Sequence, residues 1–396
     1  MSIEKLITFF KAYVQIKTVH PNPDYQAVFD LFEKQVLLDG FEYSYISLPS
    51  ERKVMIITQR GSDPTLPALA LNHHMDVVPA PDNGQWKHDP FAGILEDGIL
   101  YGRGTQDMKG VGVLHYAALQ KLQQEHGIPK RTIHILLVPD EEIGGFSGVG
   151  QLVHTEAFKK LTIGYVLDEG LPSSNEQGLY IRLGERKPLQ IRLTSTGTMA
   201  HGSRLQVHNA AHELIFFLEK IARFQTEQRE KSNTIQAGLL LSMNVTSLQA
   251  GIMHDGKIAL NVIPENACAT ADIRVPPSMP MHQAKNILND WLAQHPTISY
   301  TIEAEVHDWE RDVSNKSELY QVLETVIKNH GLEAQKFVSE GASDLRFYLQ
   351  QGIEGFGFTP FTIQENLHGI NESVRMHDIE LGYELFFQVL KRFCVK

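Results

Sequence analysis

The chain has 396 residues, 42% hydrophobic and 21% charged, the ordinary balance of a soluble globular protein. That length exceeds what one hydrophobic core organises, so two domains or three are expected. A formal charge of −11 argues against nucleic-acid or anionic-membrane partners, which need basic patches. No apolar run is long enough to span a bilayer, and "MSIEKLITFFKAYVQIKT" lacks the clean apolar core of a signal peptide. Cys268 and Cys394 cannot build a disulfide framework, so free thiols in a reducing cytoplasm are expected.

In chain order, "IEKLITFFKAYVQI" and "DYQAVFDLFEKQVLLDG" have helical apolar spacing, the second opened by Asp24 and closed by Gly40. "YSYISL", "KVMIITQ" and "ALALNHH" read as strands. A helix "VGVLHYAALQKLQQEHG" ends at Gly127, followed by the strand "TIHILLV", a short helix near "GVGQLVHTEAF" and the strand "IGYVLDEG". Strands apolar on both faces and alternating with helices predict an α/β domain with a mostly parallel sheet covered by helices.

Near residue 187 the pattern changes. "PLQIRLTSTG" alternates like a half-exposed strand, and "NAAHELIFFLEKIARFQ" is a long amphipathic helix. "LLLSMNVTSL", "KIALNVI" and "ACATADIRV" read as strands, "MHQAKNILNDWLAQH" as a helix and "SYTIEAEV" as another strand. This predicts an inserted α+β domain at 187–306, dividing the α/β domain into 1–186 and 307–396. In the last part, "SELYQVLETVIKNHG", "GASDLRFYLQQ", "GIEGFGFTP" and the helix "HDIELGYELFFQVLKRF" resume the first texture.

The polar residues that follow the apolar strands form a pattern. "LALNHHMD" delivers His73, His74 and Asp76; "ILLVPDEE" delivers Asp140, Glu141 and Glu142; "GYVLDEG" delivers Asp168 and Glu169. Ligands of a parallel α/β sheet bind beyond the carboxyl ends of its strands, so these loops are expected to converge. The glycine-rich "YGRGTQDMKG" adds Asp107 ahead of a helix. Converging carboxylates repel one another and take up protons unless a cation holds them. With imidazoles among them, the set suits zinc, with cobalt or manganese as substitutes.

Singly, each element has a plainer reading: a capped histidine, a solvated acidic loop, a strand-end turn, a helix cap at Asp107. Their ordered occurrence after successive strands outweighs it. "GGFSGVG" is no nucleophile elbow, because Val149 stands where glycine is required. "GRGTQDMKG" lacks the ending of a phosphate loop, and no dinucleotide fingerprint follows a strand.

"HMDVVP", Trp86 to Phe91, "GRGTQDMKG", "PDEEIGG", "LDEG", "TGTMAHGS", "NVIPENACATADIRV" and "LHGINE" occur in the order found in the M20 metallopeptidases. The chain resembles that family over nearly its whole length. "RTIHILLVPDEEIGG", "LDEGLPSS", "GERKP" and "GFTP" most resemble its aminoacylase-1 branch. The resemblance implies two zinc ions per subunit bridged by Asp107, with His74 and Asp168 completing one site and Glu142 and His368 the other. His74 is preferred over His73 because Asp76, two positions on, shares its face and accepts the outer imidazole N–H. Glu141 is implied as general base, His201 as oxyanion donor, and Asn261 with Arg274 as the holder of a product carboxylate.

The implied protein is a cytoplasmic amidohydrolase that releases L-amino acids from N-acyl-L-amino acids. It would be a homodimer in which the inserted domain supplies a lid, with His201 reaching the neighbour's metals. The alternatives are a dipeptidase, carboxypeptidase or other deacylase of the same family, and a non-catalytic binding protein that kept the fold. Ala200, where the family has glycine, and the loosely matching "GASDLRF" leave the acyl and side-chain preference open.

Overall fold

The computed structural model describes residues 1–81, 84–205, 207–306, 317–362 and 366–395. By its internal packing the chain falls into two units. One comprises Met1–Gly184, Ser314–Phe337 and Ala342–Lys396; the other comprises Glu185–Val313 and Val338–Gly341. The boundary expected at 306–307 adjoins residues 307–316, which lie outside the described residues.

The first unit is built on an eight-stranded sheet. Its centre is parallel: the strand Ala68–His74 lies between Ile133–Val138 and Ile163–Asp168, and Glu354–Gly357 runs parallel to the last of these. Both Ala68–His74 and Ile133–Val138 are buried at every position, which is why they read as unbroken apolar runs. Beyond Ile133–Val138 the strands Lys53–Gln59 and Glu42–Ser47 are antiparallel, so the sheet is mixed at its flank. The strand Glu333–Ser339, at the other edge, was not anticipated from the sequence.

The helices begin and end where their caps dictate. Ser2 accepts the N–H of Lys5 at the start of Ile3–Val14, and Asp24 accepts that of Ala27 at the start of Tyr25–Asp39. Gly40 closes the second at φ +75°, a left-handed conformation that glycine adopts without strain. The helix Lys109–His126 follows Asp107 and buries all of its first twelve residues, Lys109 to Gln120.

The second unit is a four-stranded antiparallel sheet in the order Ser242–Ala250, Asn266–Val275, Lys187–Thr196, Ile298–Glu305. Strict alternation along Asn266–Val275 and Lys187–Thr196 gives one face to the core. Leu189, Ile191, Leu193, Ala269 and Ile273 pack there with Leu214, Phe217 and Ile221 of the helix Ala210–Lys231 and Leu288 of the helix Met281–Leu292. Val338–Gly341 joins this unit against Gly238, where a Cβ would lie 1.9 Å from the Val338 carbonyl oxygen.

Candidate metal and catalytic site

Two adjacent histidines end the central strand and face opposite ways. His73 turns into the core, where its Nε2 lies 2.8 Å from the Tyr13 hydroxyl and its ring packs edge-on against Tyr13. Gly112 makes room for it, since a Cβ there would come within 2.3 Å of that nitrogen. His74 turns the other way, and its Nε2 lies 3.0 Å from Asp107 Oδ1 and 3.3 Å from Glu169 Oε2. The second oxygen of Asp107 is 2.9 Å from His368 Nε2. One carboxylate thus spans two imidazoles. Glu142 approaches His368 at 3.7 Å, and His74, Glu141 and Glu169 bring ligand-type atoms within 4.8 Å of one another.

The loops carrying these residues are tied together underneath. The strand Ser373–Arg375 pairs with Ile99–Tyr101, placing Glu372 beside the turn that leads to Asp107. Its carboxylate takes the Arg103 guanidinium at 2.6 Å and the backbone N–H groups of Gly104 and Gln106. Arg103 in turn donates to the carbonyl of His368, a residue held at φ +57°. Sequence reading saw Glu372 only as the end of "LHGINE"; neither it nor Arg103 reaches the cluster, so only the fold reveals their work.

Two expected roles are corrected by this geometry. Asp168 does not join the cluster: it is the last strand residue, level with Asn72, whose side-chain amide donates to it at 2.8 Å. Glu169, one position beyond the strand and one methylene longer, reaches His74 instead. Nor does the Asp76 carboxylate make the closest contact to the outer nitrogen of His74. Nδ1 lies 3.0 Å from the Asp76 carbonyl oxygen and 3.7 Å from its carboxylate. The carboxylate accepts the backbone N–H groups of Glu141 and Glu142 and faces His20.

The electrostatics are those of too many acids in too little water. Burial, then the charge of Glu169, pushes Glu141 well above the usual carboxylate range, and burial with Asp107 pushes Glu142 up to about 8. Glu169 rises well above that range for the same reasons. Burial opposes charge on both Asp107 and His74. The hydrogen bonds that Asp107 accepts from His368 and His74 nonetheless hold it well down, and those that Asp107 and Glu169 accept from His74 hold the imidazole well up. One oxygen of Glu142 is buried without a partner. Nearby Asp344 is buried with neither oxygen hydrogen-bonded, and Asp168 raises its pKa further after burial. Divalent cations would relieve this crowding, and imidazole nitrogens among carboxylates are donors that zinc takes. The residues fit the metals.

The remaining expected residues lie in the second unit. His201 and Val262 pair in a short antiparallel ladder, and the Gly202 N–H donates to the Asn261 carbonyl, so His201 and Asn261 lie on neighbouring segments. His201 Nδ1 lies 2.8 Å from the Ser203 hydroxyl and 3.2 Å from the Ser203 backbone nitrogen. Arg274 grips Asp272 through Nε and Nη2, at 2.6 and 3.1 Å.

A mixed α/β sheet carrying a histidine–carboxylate cluster at its strand ends, with a separate antiparallel sheet, fits the metallopeptidase and amidohydrolase class to which the family match assigns the chain. The chain belongs to peptidase family M20/M25/M40, whose sequence description matches residues 70–392. It is 32% identical to aminoacylase-1 of Sus scrofa over 392 residues, covering 96% of this chain and 94% of that protein. It is 28% identical to succinyl-diaminopimelate desuccinylase of Stenotrophomonas maltophilia, covering 83% and 84%. The aminopeptidase PepT structure from Bacillus cereus superposes with a TM-score of 0.70 at 15% identity, covering 99% and 98%. A dinuclear metal-binding M20 peptidase from Bacillus subtilis does so at 0.65 and 13%, covering 98% and 97%.

Proposed function

We propose that this enzyme is a zinc-dependent, cytoplasmic aminoacylase that hydrolyses N-acyl-L-amino acids to a carboxylate and a free L-amino acid. The observation that carries the reading is the pairing of an acid–imidazole cluster with similarity to aminoacylase-1 over 96% of the chain. His74, Glu169, Asp107, Glu142 and His368 would hold two zinc ions, with cobalt or manganese able to substitute. Bound there, the metals lower the pKa of a water and polarise the substrate carbonyl.

Glu141, whose carboxylate comes within 4.8 Å of ligand-type atoms of His74 and Glu169, takes the proton of the attacking water rather than binding metal. The same group returns the proton to the leaving nitrogen. His201, held at Nδ1 by Ser203, donates from Nε2 to the developing oxyanion, and in a homodimer it does so at the partner's site. Arg274 and Asn261 hold the α-carboxylate. Asp272 occupies Nε and Nη2 of Arg274, so the substrate meets the Nη1 side.

A hydrolysis panel with added zinc tests the reading. It comprises N-acetyl and longer N-acyl amino acids, N-succinyl-diaminopimelate and dipeptides. Glu141→Gln should abolish turnover and keep its metals. Preferential cleavage of dipeptides would replace the aminoacylase reading with a dipeptidase on the same site, and an active Glu141→Gln enzyme would reject the base.

A further inference from the structure

His20 lies outside every motif singled out above, yet it touches the carboxylate on which the Glu141–Glu142 turn hangs. Its segment is pinned to the end of the central strand: Val19 bridges Val77, and the Val77 N–H donates to the Thr18 carbonyl. From there Nε2 lies 3.2 Å from Asp76 Oδ2 and 3.6 Å from Asp140 Oδ1. Both carboxylates are buried, and the imidazole is mostly so. Two buried carboxylates side by side repel, and a cation between them offsets the cost.

The two acids differ in what else they have. Asp140 also binds Arg52 at 2.9 Å and the Tyr25 hydroxyl at 2.8 Å. For Asp76, the next side-chain cation among the described residues is the His74 ring at 3.7 Å. Yet Asp76 accepts the N–H groups of Glu141 and Glu142, at 3.2 and 3.0 Å. The turn opens at Asp140, a non-glycine residue at φ +65°, a conformation that persists only where its surroundings hold it.

We propose that His20 is a positioning residue of the reaction, whose Nε2–H spans Asp76 and Asp140 and so fixes the turn that presents Glu141 and Glu142. The assignment rests on Glu141 as the base. The hydrogen bond to Asp76 raises the pKa of the imidazole against the opposing effect of burial, with the charges of Asp76 and Asp140 adding to the rise and Arg52 opposing it. The groups facing the ring are thus Asp76 after the central strand and Asp140 after its neighbour. Arg52 and Tyr25 stand behind Asp140. The cationic contact is complete at low pH and is lost as pH rises through the raised value.

The test uses kcat and KM against pH for the zinc-loaded wild type, His20→Ala and His20→Gln, on the best substrate of the panel. It adds an NMR titration of the His20 ring in the metal-free protein. His20→Ala should lose kcat by about 10–100-fold with KM little changed, the scale of a lost supporting hydrogen bond. His20→Gln keeps a donor, so it should recover most of kcat and lack the part of the alkaline decline that His20 causes. The ring should titrate above its ordinary value in the wild type and drop in Asp140→Asn.

Wild-type kcat in His20→Ala overturns the proposal. So does a His20→Gln enzyme as impaired as His20→Ala with an unchanged pH profile, which would mean packing alone. A ring that titrates at its ordinary value overturns it too. The titration needs no turnover, so it separates this failure from that of the base assignment, which an active Glu141→Gln enzyme would expose.

Discussion

Glu372→Ala should be among the most damaging single changes in the chain, although Glu372 contacts neither substrate nor metal in any role given above. The carboxylate is fully buried, and it holds a guanidinium that is itself 2% exposed. It also accepts two backbone N–H groups, at 3.1 and 2.9 Å. Deleting one member of a buried pair costs about 3–5 kcal/mol, because the other charge stays behind. Each stranded backbone donor adds roughly 1–3 kcal/mol unless water reaches it. Relaxation makes these overlap, so a loss of about 5 kcal/mol is expected, as large as the whole margin of many domains.

Urea unfolding of the metal-free protein, read by far-UV circular dichroism, measures this loss. Glu42→Ala is the control: its ion pair with Arg60 is 58% and 73% exposed on its two sides, and the midpoint should not move. Replacing both partners, Arg103→Met with Glu372→Leu, should recover part of the loss, since no charge is stranded but the N–H groups still are. A Glu372→Ala protein within about 1 kcal/mol of wild type would refute the accounting, showing that water or Arg103 itself escapes the site.

Zinc analysis should show that Glu169→Ala loses metal while Asp168→Asn keeps it; the reverse would restore Asp168 as ligand. If Arg274 anchors the α-carboxylate, the methyl ester of a good substrate should lose kcat/KM in the wild type and lose little more in Arg274→Ala; equal hydrolysis of acid and ester would dismiss it. For His201 in trans, mixing His201→Ala with Glu141→Ala homodimers should restore about a quarter of wild-type activity when exchange is random. Heterodimers seen by mass without activity would confine His201 to its own chain or remove it. Buried His115 has no hydrogen-bond partner and burial lowers its pKa to about 3. The unfolded chain binds its proton below about pH 6.5 and the fold does not, so this residue costs stability progressively from there down to about pH 3. His115→Leu should flatten that acid limb in thermal melts of the metal-free protein, and an unaltered limb would count against the assignment.

How much of this was legible depended on which force set each feature. Caps at Asp24 and Gly40, and the buried central strands, are local consequences of side-chain chemistry and burial, so pattern alone finds them. The family order of motifs carried the rest of the α/β frame. The edge strand Glu333–Ser339 escaped because its burial is partial and irregular, leaving neither an alternating nor a continuous apolar signal. The Arg103–Glu372 pair escaped for a different reason: its members are 269 residues apart, and nothing in either neighbourhood refers to the other.

The contrast between "HH" and "DE" shows where sequence reading stops. Both are pairs of adjacent ligand-type residues at the end of a buried parallel strand, and in both only one member reaches the cluster. For the histidines, Asp76 two positions on marked the functional face, and His74 does turn that way. For the acids, the same alternation would have served only with a known register. The central strand pairs Leu71 with Leu167, so Asp168 sits level with Asn72, two residues short of His74. At that depth one carboxylate oxygen meets the Asn72 amide, which the Tyr348 hydroxyl holds from behind, while the other is buried without a partner. Reaching His74 takes the next residue and the longer side chain, which is Glu169. Register between strands is a tertiary fact, fixed by packing across the sheet. That is why residue type and order located the cluster, while the choice between two neighbouring acids had to wait for the fold.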